Sequence, residues 1–536
     1  MILDSLGIPY EILEASDRIG GRIYTHRFNG DKGATAPINT PARYDYIDIG
    51  AMRYPNIGFM KRVFDLFELL QLDKDGLLIE YKFSSEHTFQ HYNGRRYPGV
   101  AQSNDIFDVS VENGGTVPSA YVAWGADSVA AEVYKPFTDL FKSEKFSKAW
   151  AVLQQEDSHS TRAYMRGRKE NPLPEAVVQW LETFETATGL YNDAFVESVM
   201  DAMDFGSVDA VRNPKGGLGY SWYCIDGGSD IITRKMISII STEPLTEKRV
   251  TNLASTPKGM AVTYQKSDGK ATTTEYSQVI CTVPMGCLAG IDIPVGDLSY
   301  LQRMAIRSLN YDTSTKIALK FESRWWEDPK IMPHGPIKGG MSSTDLPIRT
   351  CVYPSYGFSS SGQVPGVLLA SYTWAQDAQR LGGLAAGVKG SKADKVLIDL
   401  TLKNLSQLHG VPVEKFGPLL DHYAYDWHND ENARGAFALF GPAQFSQKDS
   451  GSSLFASVKA PAAGGKLHIA GEATSAHHAW VLGALNSAWR AVYNALGMRE
   501  DAKEKREVLI KKWGVPDEED TTDLLKLAAL SSYGYL

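Results

Sequence analysis

The sequence has 536 residues, 43% hydrophobic and 22% charged, with a formal net charge of −8 at pH 7. That balance describes a globular chain with a large core and excludes disordered and collagen-like classes. An acidic chain offers no overall positive field to a nucleic-acid backbone or an anionic membrane, so neither is an expected partner. In chain order, Met1–Leu6 places Ile2, Leu3 and Leu6 on one helical face with Gly7 just past its end, which reads as the last turn and a half of a helix. A strand-like run of Tyr, Ile and Leu follows and ends on Glu14; then comes the polar turn "ASDRIGGR". A Gly/Pro/Asn-rich connection leads to the short strand in "YDYIDIGAMRYP", and Phe59–Leu72 is an amphipathic helix with Val63, Phe64, Phe67 and Leu70 on one side.

Pro136 to Asp204 reads as mostly helical, and Trp222–Ile240 as strand, Gly-Gly turn and helix. Thr251–Val283 carries a hairpin pattern with a turn at Ser267-Asp268-Gly269. Thr313–Phe321 and Val367–Thr373 are expected strands and Lys395–Leu408 a helix. "LHIAGEAT" is a buried strand ending in a turn, Trp480–Leu496 an apolar-striped helix, and the charged run from Glu500 a peripheral tail. The cysteines Cys224, Cys281, Cys287 and Cys351 form no CxxC and read as buried thiols rather than metal ligands. The apolar run Val279–Val295 contains Pro284, Asp292 and Pro294 and does not read as a membrane span. Met1 opens no basic-then-apolar leader, so a cytoplasmic location is the default expectation.

Glu14 raises the functional question. In a dinucleotide-binding βαβ unit, an acidic residue at a strand end binds a ribose about 20 residues after a glycine-rich phosphate loop. Only thirteen residues precede Glu14, so the expected loop and first strand would lie upstream of Met1. Neither "GGLGYSW" (with Gly217 and Gly219) nor "GGLAAG" (Gly382–Gly387) substitutes, because the first lacks a preceding strand and the second a middle glycine.

Six motifs occur in a fixed order: "EASDRIGGR", "IGAMRYP", "IDGGSD", "VICTVPMG", "TKIALKF" and "IAGEATSAHHAW". Together, from Gly7 to Leu496, they resemble the flavin-containing amine oxidases, and within them most closely the L-amino acid oxidases. The resemblance implies FAD as cofactor and an α/β fold: an incomplete, Rossmann-like FAD-binding domain built from both chain ends, with an inserted α+β substrate domain and a helical subdomain. The expected segments are 1–58, 216–290 and 426–498 for FAD, the first lacking its strand and Gly-rich loop. Residues 59–215 form a largely helical and substrate region, 291–425 the substrate domain, and 499–536 the tail.

Residue by residue, Glu14 can accept hydrogen bonds from vicinal ribose hydroxyls. Gly20 and Gly21 allow close backbone approach to a phosphate, and Arg22 supplies a forked cation. The resemblance implies further cofactor contacts at Gly50, Ala51, Met52, Arg53, Val250, Glu472, Trp480 and Val481, with the helix after Trp480 presenting its N-terminal amides to the flavin. Lys316 and Lys320 share one face of their strand, which by itself reads as a solvated edge; the resemblance instead implies that Lys316 is catalytic, near flavin N5. Arg53 and Tyr372 match the carboxylate-binding pair of the L-amino acid oxidases, and Trp480 an aromatic wall. Ala479 stands where a glycine is usual and would narrow the substrate pocket by a methyl group. Trp427 matches a segment that is most often structural, and the adjacent His477 and His478 read as non-ligands. Where some members place a histidine base, "FVESVMDAMDF" offers only Asp201 or Asp204, and the sequence assigns no base.

The implied reaction removes the Cα hydrogen as hydride to flavin and gives an imino acid, which hydrolyses to keto acid and ammonium; dioxygen reoxidises the flavin to yield hydrogen peroxide. The substrate amine must be neutral, and burial beside Arg53 could lower its pKa without a dedicated base. Two other readings stand beside it: an oxidase of amines or polyamines without a carboxylate, and an inactive fragment unable to hold FAD. Expected partners are the small-molecule substrate and dioxygen, with a homo-oligomer left open.

Overall fold

The computed structural model describes residues 1–99, 105–185, 187–205, 221–266, 269–359, 362–446 and 453–519. Its largest sheet has seven strands in the order Leu419–Asp426, Ser314–Phe321, Gly366–Trp374, Thr350–Val352, Met341–Thr344, Phe89–Tyr92 and Arg95–Pro98. Ser314–Phe321 pairs on both sides and is buried almost throughout, so the solvated-edge reading of "TKIALKF" does not hold. The alternation nevertheless does its work: Ile317, Leu319 and Phe321 pack into a core with Leu381, Leu397, Leu405 and Leu408, leaving Lys316 and Lys320 on the opposite face. Those leucines belong to the helices Ala375–Ala385 and Lys392–His409; the Ser391 hydroxyl caps the second, and Gly410 ends it at φ +68.

The strand Val279–Cys281 pairs in parallel with Leu467–Ile469, joining the middle of the chain to its last third. Arg249–Ser255, Met260–Gln265 and Ala271–Tyr276 form a three-stranded antiparallel sheet. Of the turn expected at 267–269, Ser267 and Asp268 lie outside the described residues, as do Gly217 and Gly219. Ala126–Ser143, Phe146–Leu153, Glu175–Phe184 and Phe195–Asp204 supply most of the helical region.

Two expectations are corrected by the structure. Tyr10–Glu14 is not a strand: it makes one isolated parallel bridge, Leu13 with Leu245, in which the Leu245 N–H donates to the Ile12 carbonyl and the Glu14 N–H to the Leu245 carbonyl. A ladder needs consecutive partners, and among the described residues nothing pairs along its other edge. The charged segment from Glu500 is also not peripheral over its first part. The helix Ala502–Trp513 buries Leu509 against Leu6, Trp489, Val492 and Leu496, and Glu518 and Glu519 are buried beyond it. Cys224, Cys281 and Cys351 are buried thiols, while Cys287 is half-buried. Among the described residues no helix is long and apolar enough to cross a membrane.

Candidate functional site

One cavity of about 1060 Å³ gathers residues from both ends and the middle of the chain. Glu14, Gly21, Arg22, Gly50, Ala51, Met52, Arg53, Val250, Lys316, Tyr372, Glu472, Ala479, Trp480 and Val481 all line it. The fold therefore brings together every residue to which the resemblance gave a cofactor, substrate or catalytic role, although lining a cavity does not by itself assign one; Asp204, His477 and His478 lie outside it.

Glu472 follows the strand Leu467–Ile469 through Gly471, whose φ of +122 favours glycine, and its carboxylate accepts from Arg22 Nη1 at 2.7 Å. It also accepts from the backbone N–H groups of Ala438 and Ala479. Burial pushes its pKa up, but Arg22 and then His478 outweigh that and hold it below the ordinary value. Glu14 accepts from the backbone N–H and hydroxyl of Ser16 at 2.8 and 2.9 Å, which fixes its carboxylate at the cavity wall. Gly20 and Gly21 both have positive φ, +110 and +53. A Cβ on Gly50 would lie 1.7 Å from the carbonyl oxygen of Arg22, so this contact of two backbones admits only glycine.

Lys316 lies beneath that contact, donating from Nζ to the carbonyl oxygens of Asp48 at 3.0 Å and Gly50 at 2.8 Å. Burial drives its pKa well below that of an ordinary lysine, against the opposing pull of Asp48. Asp48 in turn is raised by burial, while hydrogen bonds from Thr25 and Ser229 oppose the shift. Ser229 belongs to "IDGGSD", which thus braces the floor of the site. A Cβ on Gly227 would strike the Arg43 guanidinium and one on Gly228 the Thr25 side chain, both at 2.4 Å.

Arg53 sits in an aromatic cage, its guanidinium carbon 5.0 Å from the ring centre of Phe83, 5.5 Å from Phe205 and 5.8 Å from Trp222. It donates from Nη1 to Met341 Sδ at 3.1 Å. Tyr372 lines the same cavity, its ring centre 4.6 Å from Lys316 Nζ. Ala479 adopts φ +63, in the left-handed region that a β-carbon disfavours. Trp427 donates from Nε1 to the Ile49 carbonyl at 3.2 Å while also lining the cavity.

The adjacent histidines point at carboxylates: His477 Nδ1 lies 2.7 Å from Asp204, and His478 Nδ1 2.9 Å from Glu197. Their importance was not apparent from the sequence reading, though a signal existed. Glu197, Asp201 and Asp204 recur at i, i+4 and i+7, one face of a helix whose remaining residues are largely apolar.

A family model described as flavin containing amine oxidoreductase matches residues 2–496. The chain belongs to that family. FAD is the family's cofactor and oxidoreduction its chemistry. The chain is 36% identical over 534 residues to L-amino-acid oxidase 4 of Hebeloma cylindrosporum, covering 94% of this chain and 80% of that one. It is 41% identical over 544 residues to a Dictyostelium discoideum protein provisionally described as a bifunctional amine oxidase, covering 98% of this chain and 47% of that one. It thus spans about half the length of the latter relative. Among solved structures, wild-type putrescine oxidase bound to putrescine matches with a TM-score of 0.63 at 16% identity, covering 92% of this chain and 95% of that one, a likeness of fold.

The donor set suits the family's dinucleotide. An acidic wall at Glu14, the positive-φ glycines with Arg22, and the N-terminus of the helix Val481–Leu496 all face one cavity. The buried Nε1 of Trp480 has no protein acceptor among the described residues and is available to a ligand there.

Proposed function

We propose that this protein oxidatively deaminates L-amino acids with FAD held in the cavity described above. Arg53 carries the reading. Its guanidinium is fixed by three aromatic rings at the cavity wall and pairs with no carboxylate among the described residues. Such a group would bind a substrate carboxylate through two parallel hydrogen bonds, with Tyr372 beside it. Glu14, Gly21, Arg22 and Glu472 would hold the dinucleotide, and the amides at the start of Val481–Leu496 would favour negative charge on the isoalloxazine. Two-electron acceptance and reoxidation by dioxygen would be the flavin's contribution. Lys316, fixed by two backbone carbonyls, would orient the reacting face, and Trp480 and Ala479 would bound the space for the side chain.

A second reading, oxidation of amines without a carboxylate, is favoured by the acidic groups around Asp201, which suit a cation. Peroxide release from the FAD-loaded protein with a panel of L-amino acids and with putrescine separates the two. Arg53→Ala should raise KM for amino acids about 100-fold, the worth of a charge-assisted bidentate contact. If Arg53→Ala leaves amino-acid kinetics unchanged, or only putrescine is oxidised, the L-amino acid reading fails.

A further inference from the structure

Behind Ala479 lies a separate chamber of about 30 Å³, room for one water. Asp201, Trp374, Phe437 and Ala479 line both this chamber and the main cavity. The chamber's polar wall is the carboxylate face of the helix Phe195–Asp204. The outer two carboxylates of that face are each matched by a histidine, Glu197 by His478 and Asp204 by His477. The middle one, Asp201, makes no hydrogen bond or ion pair through its side chain among the described residues. His478 is 5% exposed, its ring packs against Phe440 and Phe445, and its Nε2 has no partner among the described residues. That nitrogen belongs to a residue lining the chamber, so a water seated there has a polar anchor on the side away from the substrate.

We infer that Asp201 is a catalytic residue: its carboxylate takes the proton from the substrate's ammonium group before the Cα–H bond breaks. This rests on the amine-oxidising reading above. The step balances as R–NH3⁺ plus carboxylate giving R–NH2 plus carboxylic acid, with the nitrogen lone pair released to drive hydride departure from Cα. Neither paired neighbour can do this, because each carboxylate is already engaged with an imidazole. Burial, then the nearby Asp204, Glu185 and Glu197, push the Asp201 carboxyl up to about 8, and Arg53 pulls it down. Asp193, also on the chamber wall and itself pushed up to about 8, adds to the acidic surroundings, and His478 faces the chamber from the opposite segment. Asp201 is thus ionised, and able to accept, only as pH rises through about 8.

The test compares the FAD-loaded wild type with Asp201→Asn, using whichever amine or amino acid the wild type oxidises. Both arrive as ammonium ions, so failure of the L-amino acid reading would not decide this one. Asp201→Asn should lower kcat/KM at pH 7 by about 10²–10⁴-fold and move the rising limb of the pH profile from near 8 to the pKa of the substrate's own ammonium. Flavin content and Tm report whether the variant folds; if it does not, Asp201→Gly with added formate should regain activity in proportion to formate ion. A limb that stays near 8 in Asp201→Asn with kcat within twofold, or a rise in KM alone, overturns the assignment, as does absence of formate rescue in a folded Asp201→Gly.

Discussion

Arg22 and Glu472 stand 450 residues apart in the chain and meet at 2.7 Å, guanidinium to carboxylate, on the wall of the main cavity. The site is therefore assembled by contact between the two ends of the matched region. Arg22→Met should leave Glu472 buried with only backbone donors, at a cost of about 3 kcal/mol measured by urea unfolding. Because Glu472 is held below its ordinary pKa, the wild type's extra stability is present above the usual carboxylate range and lost as pH falls through the folded value. The stability difference between Arg22→Met and wild type should shrink on acidification; a difference constant with pH would count against the pair.

Gly50→Ala forces a methyl group into the Arg22 carbonyl, where both partners are backbone and neither is free to swing aside. Destabilisation of at least about 1–3 kcal/mol is expected, with reduced flavin retention. Thermal unfolding and the visible flavin band of the purified protein check this, and an alanine variant as yellow and as stable as wild type would contradict it.

Lys316 has its folded pKa depressed by burial, so the unfolded chain holds a proton that the folded chain sheds. Stability from this group rises with pH from the folded value up to the ordinary lysine value near 10.5. Asp48 acts in a separate, more acidic window, because its raised pKa adds stability at low pH and loses it as pH rises. Lys316→Met should flatten the slope of urea midpoints between pH 7.5 and about 9 and, by removing a cation that holds Asp48 down, extend the acidic window upward. An unchanged alkaline slope would mean that Lys316 keeps its proton.

Ala479→Gly should be neutral to slightly stabilising. Relief of the left-handed conformation returns about 1–2 kcal/mol, offset by about 0.4–1 kcal/mol of added freedom in the unfolded chain. The lost methyl group also enlarges the substrate space, so kcat/KM should shift toward bulkier side chains by about 10-fold or more. Tm together with a substrate panel tests both halves, and a large fall in Tm would show that the methyl group packs rather than strains.

Much of the fold was legible because it rests on local pattern. The stripe Leu485, Ala488, Val492 and Leu496, the helix Lys392–His409 and the alternation in Ser314–Phe321 all appear as periodicity. Tyr10–Glu14 has residues that suit a strand and yet forms none, because a strand exists only by its partners. The same limit applies to Lys316: two lysines on one strand face look solvated until the sheet is known to place another strand on each side. Glu518 and Glu519 looked like tail residues, yet their carboxylates bind Ser475, Asn486 and Arg490.

By itself the sequence determined which residues could do the chemistry, since a guanidinium, a lysine and glycines of special φ are properties of side-chain type and short spacing. Tertiary structure alone decided their charge states and partners. It buried Lys316, matched two histidines to two carboxylates and left Asp201 between them without a partner among the described residues. The physical reason is that desolvation and Coulomb attraction depend on distance through space, and distances between residues hundreds of positions apart are written in no local pattern.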